Sequence, residues 1–437
     1  MKKSPKLSLL SKKLMLRGAI AALALGSVLA PAMTTAVRAN LSDSPKTVVD
    51  EVWQIVNNEF VDKSFNQVDW QKTREELLSR NYTDNREAYR AIRQSLKQLG
   101  DPYTRFLPPH EYEVLTTQTS GEVSGIGIRL GLERHTSVMV IVEPLKGSPA
   151  FKAGLKPGDR IVKIDGKPTA LMTLDQASEQ ITGEEGSQIS LQIARPGGKV
   201  FDITLTRAHI EVPAVSYSLK QEGNIQVGYI KLDEFSSHAA EQMKSAIEEL
   251  EKKQASGFVL DLRGNPGGLL FASVDIARMW MGEGLIVHTI DRKGGDRAFH
   301  ANGTALTSHP MVVLVDQNSA SASEILAGAL KDNRRATLVG TQTFGKGTVQ
   351  SVHELSDGSG VAVTIARYFP PSGANINKKG IAPDVRLDLT EEQGMRLQND
   401  PSLFATKEDP QYERAIAILK NTALSRSPKG TQSVSLR

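Results

Sequence analysis

Hydrophobic positions change their spacing twice along this chain. From Ser44 to Leu99 they recur at helical intervals: Val49, Val52, Trp53, Val56 and Phe60 share one face, and Tyr89, Ile92, Leu96 and Leu99 form a second series. This predicts a small helical domain, after which Pro108 and Pro109 break the chain. From Ser124 to Arg207 the pattern becomes alternating or β-branched, with strands expected over residues 138–142, 160–164, 189–193 and 200–205. Lys156-Pro157-Gly158-Asp159 and Pro196-Gly197-Gly198 supply turns between them. Beyond Pro213, strands (227–232, 258–262, 285–290, 311–316, 336–340) alternate with helices (238–253, 270–281, 323–330), which argues for an α/β core. The chain therefore reads as an α+β multidomain protein, with no internal repeat.

Within that last region two short blocks carry candidate chemistry. Asn318-Ser319-Ala320-Ser321-Ala322-Ser323-Glu324 falls at a strand-to-helix turn, and Thr343-Phe344-Gly345-Lys346-Gly347 follows the next strand. A serine hydroxyl is a weak nucleophile until a base takes its proton, and a lysine serves as that base only when desolvation lowers its pKa. Ser321 with Lys346 suggests such a pair. The Ala322 amide, first in the helix, would be free to stabilise an oxyanion. Taken alone, Ser321-Ala322-Ser323-Glu324 is equally a capping box, and Lys346 a solvated loop lysine.

Together these blocks closely resemble the carboxyl-terminal processing proteases, tail-specific serine endopeptidases of which cyanobacterial and plastid members are closest in kind. The twenty-five-position spacing of the family's serine and lysine selects Ser321 as nucleophile and Lys346 as base. Gln350 matches the glutamine that orients the lysine, and Asp332 an aspartate with a supporting role in some members. Gly100-Asp101-Pro102-Tyr103-Thr104, Asp261-Leu262-Arg263-Gly264-Asn265-Pro266-Gly267-Gly268 and Gly380-Ile381-Ala382-Pro383-Asp384-Val385 extend the match in the family's order. The resemblance implies a core of the crotonase and Clp-peptidase type, with Gly267 as the second oxyanion donor. The 124–207 region resembles a PDZ domain whose Gly125-Ile126-Gly127-Ile128 loop would bind a substrate's terminal carboxylate. Glycines there let consecutive amides converge on the carboxylate while the peptide adds to the sheet edge, although Gly125 and Gly127 also suit an ordinary strand turn.

The expected organisation is a signal peptide over residues 1–39, a helical domain over 40–115, a PDZ-like domain over 116–208, a peptidase core over 209–390 and a C-terminal helical segment and tail over 391–437. The first segment combines basic residues, an uncharged apolar stretch over 18–30 and Val37-Arg38-Ala39 before Asn40, the order of an export signal. An uncleaved anchor is the competing reading, but the apolar stretch falls short of the roughly 20 residues needed to span. Export would place the enzyme in a periplasm or thylakoid lumen, soluble or in peripheral contact with a membrane.

Charge then changes its meaning. The formal net charge of +4 includes seven basic residues and no acidic one before Asn40; without them 46 basic face 49 acidic residues, so nothing points to nucleic acid. The chain has no cysteine, which excludes disulfides and thiol catalysis. No histidine and carboxylate cluster suggests a metal, and the Gly345-Lys346 step lacks Walker spacing, so no cofactor is expected. The expected partners are proteins with free C-terminal tails, one candidate being the photosystem II reaction-centre precursor. Two rivals remain: a triad using His353 with Asp316 or Asp332, and a PDZ scaffold with an idle peptidase core.

Overall fold

The computed structural model describes residues 44–133, 136 and 138–426; the signal peptide expected over residues 1–39 and the end of the tail lie outside the described residues. These divide into two compact units, residues 120–213 with 389–409 and residues 44–119 with 214–388 and 410–426.

The first unit is built on an antiparallel sheet in the order Ile128–Leu132, Met139–Pro144, Arg160–Ile164, Gln188–Ala194, Val200–Thr206, with Lys167–Pro168 paired beside Arg160–Ile164. Ile189, Leu191 and Ile193 are buried while Gln188 and Ser190 face out, the two-residue period that the sequence predicts. They pack with Ile126, Ile141, Ile161 and Ile164 under Ala177 and Ile181 of the Leu174–Ile181 helix. Thr173 and Gln176 form that helix's capping box. At its other end the buried Arg207 donates to the carbonyls of Gln180 and Ile181, which no helical N–H can reach. Ile128–Leu132 lies at the edge of the sheet.

In the second unit a six-stranded sheet runs Val215–Glu222, Ile225–Leu232, Gly257–Asp261, Met311–Val315, Thr337–Gly340, Val385–Arg386. Its first pair is antiparallel and the others parallel. Gly257–Asp261 and Met311–Val315 are buried along their whole length, as continuous apolar runs in a parallel sheet require. The helices Ala239–Lys252, Leu270–Trp280 and Ala322–Asp332 contribute to the same core. A second sheet contains Arg105–Leu107, Gly360–Phe369, Leu285–Asp291 and Asp296–His300, with Thr348–Glu354 also on Gly360–Phe369.

Three sequence expectations change in detail. The strand expected over 285–290 forms but joins this second sheet, because its partner is Gly360–Phe369 rather than a parallel neighbour. Pro109 does not simply break the chain: it opens the Pro109–Ser120 helix, where a missing N–H costs nothing in the first turn. The helices Pro45–Glu59, Trp70–Ser79 and Asn85–Gln98 share one apolar cluster with Leu355, Val361 and Val363, so the amphipathic faces of residues 44–99 are covered by strands from the far end of the chain.

Candidate active site

Ser321 is placed by the end of one buried strand. Beyond Met311–Val315, Asp316 accepts from the amides of Gly264, Asn318 and Ser319, and the Ser319 hydroxyl donates to the Leu262 carbonyl. Ala320 N–H and the Ser323 hydroxyl both donate to the Asn265 carbonyl. These bonds lock the turn to the Arg263–Gly268 loop and force Ser321 to φ 54° and ψ −113°, a conformation that a residue with a Cβ adopts only when its surroundings impose it. Ser321 is 2% exposed and immediately precedes the Ala322–Asp332 helix.

Glu324 does far more than complete a capping box. Its Oε2 accepts from the Ser321 amide (2.9 Å) and the Lys346 amide (2.9 Å), and its Oε1 from the Gly345 amide (2.7 Å) and the Thr343 hydroxyl (2.6 Å). One oxygen thus holds the amide nitrogens of Ser321 and Lys346 within twice a hydrogen-bond length of each other. Burial raises the Glu324 carboxyl, and the four donors work against that rise. The Tyr368 hydroxyl makes a second bridge, reaching the carbonyl oxygens of Ser321 (3.1 Å) and Lys346. Behind the lysine loop, Thr343 is fastened to Ile381 through both its amide and its hydroxyl. Gly345, at φ +89°, leaves no room for a Cβ against the amides of Lys379 and Gly380.

Lys346 is fully buried. Desolvation pulls its ammonium down from 10.5 to about 7, helped by Arg105 and opposed by Asp101 and Glu324. The Tyr103 ring covers its Nζ at 4.9 Å from the centroid. A buried amine of this kind is neutral in a substantial fraction of molecules near pH 7, which a general base requires. Gln350 is also buried, and its Nε2 donates to the hydroxyls of Thr348 (2.9 Å) and Thr364 (3.1 Å).

The glycine loop fits closely against the turn. At Gly267, φ +106°, a Cβ would fall 2.7 Å from the Ala320 carbonyl oxygen and 2.9 Å from the Ser321 Cβ. Its own N–H, however, donates to Asn265 Oδ1 at 2.9 Å. Gly267 therefore serves the site in this conformation by lacking a side chain, and its amide is not offered as an oxyanion donor. Ala322 N–H is the first of the helix and has no partner within it. The loop's entry is fixed by Asp261, whose carboxylate takes the Arg263 guanidinium and the Tyr229 hydroxyl. Burial alone would raise that carboxyl; Arg263 holds it below its ordinary value.

Other sequence candidates lie elsewhere. Asp332 closes the helix that Ser321 opens, about 16 Å along it, where its Oδ2 accepts from the Ser372 amide. His353 Nε2 pairs with Glu59 at 2.8 Å, and Asp316 is occupied by turn amides, so the three groups form no triad. Glu324, Tyr103 and Tyr368 carry much of the site, yet the sequence singled out none of them for it: Glu324 was readable as a capping-box residue and Tyr103 as a member of a matched block, without a role.

In the PDZ-like unit, Gly125 ends the Glu122–Gly125 strand and Ile126 is buried in the core. The side chain of Ile126 is thus a packing group, while its carbonyl accepts from Ala150 N–H. Gly127, at φ +72°, would place a Cβ 2.3 Å from that of Ser148, whose hydroxyl donates to the Gly127 carbonyl. Ile128, half-buried, begins the edge strand. Among the described residues no hydrogen bond uses the amides of Ile126 or Gly127.

Comparison with known proteins accords with this geometry. The peptidase family S41 profile matches residues 226–387, and a PDZ domain profile matches residues 140–195. The carboxyl-terminal-processing protease of Synechocystis sp. is 44% identical over 369 residues, covering 84% of this chain and 85% of that one. The chloroplastic C-terminal processing peptidase of Tetradesmus obliquus is 40% identical over 353 residues, covering 77% and 76%. Among solved structures, a photosystem II D1 C-terminal processing protease is 38% identical with a TM-score of 0.53, covering 84% of this chain and 99% of that one. The chain belongs to peptidase family S41, as a carboxyl-terminal-processing protease: a serine-type peptidase with a PDZ domain, acting on protein substrates. No helix among the described residues is long and apolar enough to cross a membrane.

Proposed function

We propose that Ser321 and Lys346 form the catalytic pair and that the PDZ domain delivers substrate tails to it. The observation that carries this is the fully buried Lys346, with its ammonium lowered to about 7 and its backbone held to that of Ser321 by the single carboxylate of Glu324. Neutral Lys346 takes the Ser321 hydroxyl proton as Oγ attacks the scissile carbonyl carbon. The oxyanion is stabilised by the Ala322 amide. The intermediate collapses as Lys346 returns the proton to the leaving nitrogen, which releases the C-terminal fragment and leaves an acyl ester on Ser321. Water attacks that ester, losing its proton to the same lysine, which returns it to the departing Ser321 Oγ as the ester bond breaks, and the shortened protein leaves with a new C-terminal carboxyl group. Gln350 supports the lysine; Asp332, distant and bonded to Ser372, acts only on the fold.

The tail would add as a strand beside Ile128–Leu132, with its carboxylate at the amides around Gly125, Ile126, Gly127 and Ile128. The edge position of that strand and the unoccupied amides of Ile126 and Gly127 support this. Exported proteins with free C-termini are the substrate class. The name of the D1-processing structural relative makes a photosystem II precursor one candidate. Export itself rests on residues 1–39, and N-terminal sequencing of the native protein should give Asn40.

Mass spectrometry of protein C-termini with and without the enzyme tests activity and substrate together. Wild-type enzyme should yield truncated termini that Ser321→Ala and Lys346→Ala fail to produce although both variants remain folded. His353→Ala should stay within about threefold of wild type, since the His353 ring is engaged by Glu59 and makes no hydrogen bond to Ser321 or Lys346 among the described residues. Turnover by the lysine variant with loss in the histidine variant would replace the dyad by histidine chemistry.

A further inference from the structure

Gln350 is buried with an acceptor to spare: its Nε2 has two hydroxyl partners, whereas its Oε1, also inaccessible, accepts no hydrogen bond among the described residues. A primary amide can be turned through 180° with little change of shape, so something must decide which end faces which neighbour. The deciding chain begins in the segment between the Asn85–Gln98 helix and the Arg105–Leu107 strand. Asp101 Oδ2 accepts from the Thr104 hydroxyl (2.7 Å) and from the Thr364 hydroxyl (2.5 Å). An ionised carboxylate only accepts, so the single proton of Thr364 is committed to Asp101. Thr364 Oγ1 then has only lone pairs left, and the group that meets it must donate. Gln350, its cross-strand partner on Thr348–Glu354, meets it with Nε2. Turning the amide over would set two acceptors against each other in a buried site, at the cost of an unsatisfied pair.

Thr364 is itself held in register. Its amide donates to the Thr104 hydroxyl and its carbonyl accepts from the Val61 amide, while Arg105 pairs with Ala362 on the same strand. The same short segment supplies Tyr103 over the lysine Nζ. Asp101 therefore reaches the lysine's surroundings in two ways, by its charge and by a relay of hydrogen-bond polarity.

We propose that Asp101, acting through the Thr364 hydroxyl, is a positioning residue that fixes the orientation of the Gln350 amide, so that its oxygen rather than its NH2 is available to the ammonium formed on Lys346 when Ser321 is deprotonated. The proposal rests on the dyad assignment and on the lysine-supporting role proposed above for Gln350, whose Oε1 has no other partner among the described residues. An ammonium is donor-only, so an amide presented the wrong way round would oppose the charge that develops during acylation. Among the described residues, Asp101, Glu324 and Arg105 act on Lys346 by charge, the Tyr103 ring lies over its Nζ, and the Tyr368 hydroxyl reaches its carbonyl.

The test is steady-state peptide cleavage by the full-length chain across pH, with Ser321→Ala and Lys346→Ala as references and thermal unfolding to confirm folding. Thr364→Val keeps the side-chain volume but removes the hydroxyl; kcat should fall about tenfold or more with KM within about twofold, and Thr364→Ser should restore most of it. Asp101→Asn should also lower kcat. In addition it removes a negative charge that favours the lysine's protonated form, so the acid limb of kcat/KM should move to lower pH. Thr364→Val retains that charge and should leave the limb in place. A folded Thr364→Val enzyme with wild-type kcat, a serine variant as slow as the valine one, or an Asp101→Asn enzyme with wild-type kcat would each overturn the relay. Because Ser321→Ala and Lys346→Ala would remain inactive in that event, failure of the relay is separable from failure of the dyad; activity in either reference would instead remove the dyad.

Discussion

The Ser321–Lys346 region and the Gly125–Ile128 loop solve opposite problems with the same backbone groups. At the first, the amides of Ser321, Gly345 and Lys346 converge on the carboxylate of Glu324, and the chain is strained and buried around them. At the second, the amides of Ile126 and Gly127 converge on nothing supplied by the described residues. On the function proposed above, the contrast separates preorganisation from reception. A catalytic pair has to be held before substrate arrives, because geometry recovered at the moment of reaction would be subtracted from transition-state stabilisation. A binding loop gains by leaving donors that only a ligand satisfies, provided that its frame is fixed, as Ser148 and Leu145 fix the Gly127 carbonyl. Even the glycines divide this way. Gly267 and Gly345 admit backbone against backbone, whereas Gly127 admits the Ser148 side chain.

The largest effect should come from removing the internal carboxylate that makes the two regions differ. Glu324→Ala would strand three buried amides and the Thr343 hydroxyl, each worth about 1–3 kcal/mol when left without a partner. Solvent entry into the new cavity would recover part of that. We expect a loss of about 3–5 kcal/mol in stability and at least a hundredfold in kcat/KM, measured by urea unfolding and peptide cleavage. Near-normal activity in Glu324→Ala would mean that the bridge between Ser321 and Lys346 is incidental.

A smaller and complementary effect is expected where the ligand, not the protein, supplies the carboxylate. Amidating the C-terminus of a cleavable peptide removes its charge and one acceptor oxygen, leaving the loop's amides poorly paired. The penalty of a lost charge-assisted bond, roughly 1.5–3 kcal/mol, corresponds to about tenfold to a hundredfold in kcat/KM. Equal cleavage of free-acid and amidated peptides would show that the loop plays no part in tail recognition, whatever Ser321 and Lys346 do.

How far these two regions were legible in the sequence follows from the distances along the chain over which their parts are assembled. Alternating strands such as Gln188–Ala194 and buried runs such as Met311–Val315 announce themselves, since their period or continuity is local. Ser321 and Lys346 were visible as motifs. The surroundings that would suit Lys346 to act as a base were not: Tyr103 and Asp101 lie more than two hundred positions upstream, and the Asp101–Thr364 bond spans 263 positions. No periodicity encodes such a meeting. Glu324 misled differently, because its spacing from Ser321 fully explains a helix cap and conceals the bonds to Thr343, Gly345 and Lys346. At Gly267 the spacing located the loop, but only the structure shows its amide turned to Asn265. Ile126, expected within a binding loop, proves to be a core residue, an ambiguity that its apolar side chain could not resolve.

The last test asks what holding a base in readiness does to the fold. Lys346 is wholly buried, and in the folded chain its ammonium titrates near 7 instead of the ordinary 10.5. The unfolded chain therefore binds more protons than the folded one between those two values, and stability rises with pH across that window. Below about 7 the lysine is charged in both states, and the folded protein bears the whole desolvation cost. Lys346→Met removes the ionisable group while keeping an unbranched apolar side chain. It should be more stable than wild type at pH 6, and its advantage should shrink by about 1–2 kcal/mol between pH 6 and pH 9, less than the full shift implies because water and local rearrangement relieve part of the burial. Urea unfolding at the two pH values measures the difference. A pH-independent gap would mean that Lys346 is solvated and ordinarily charged, in which case the catalytic region would be no more preorganised for proton transfer than the tail-binding loop.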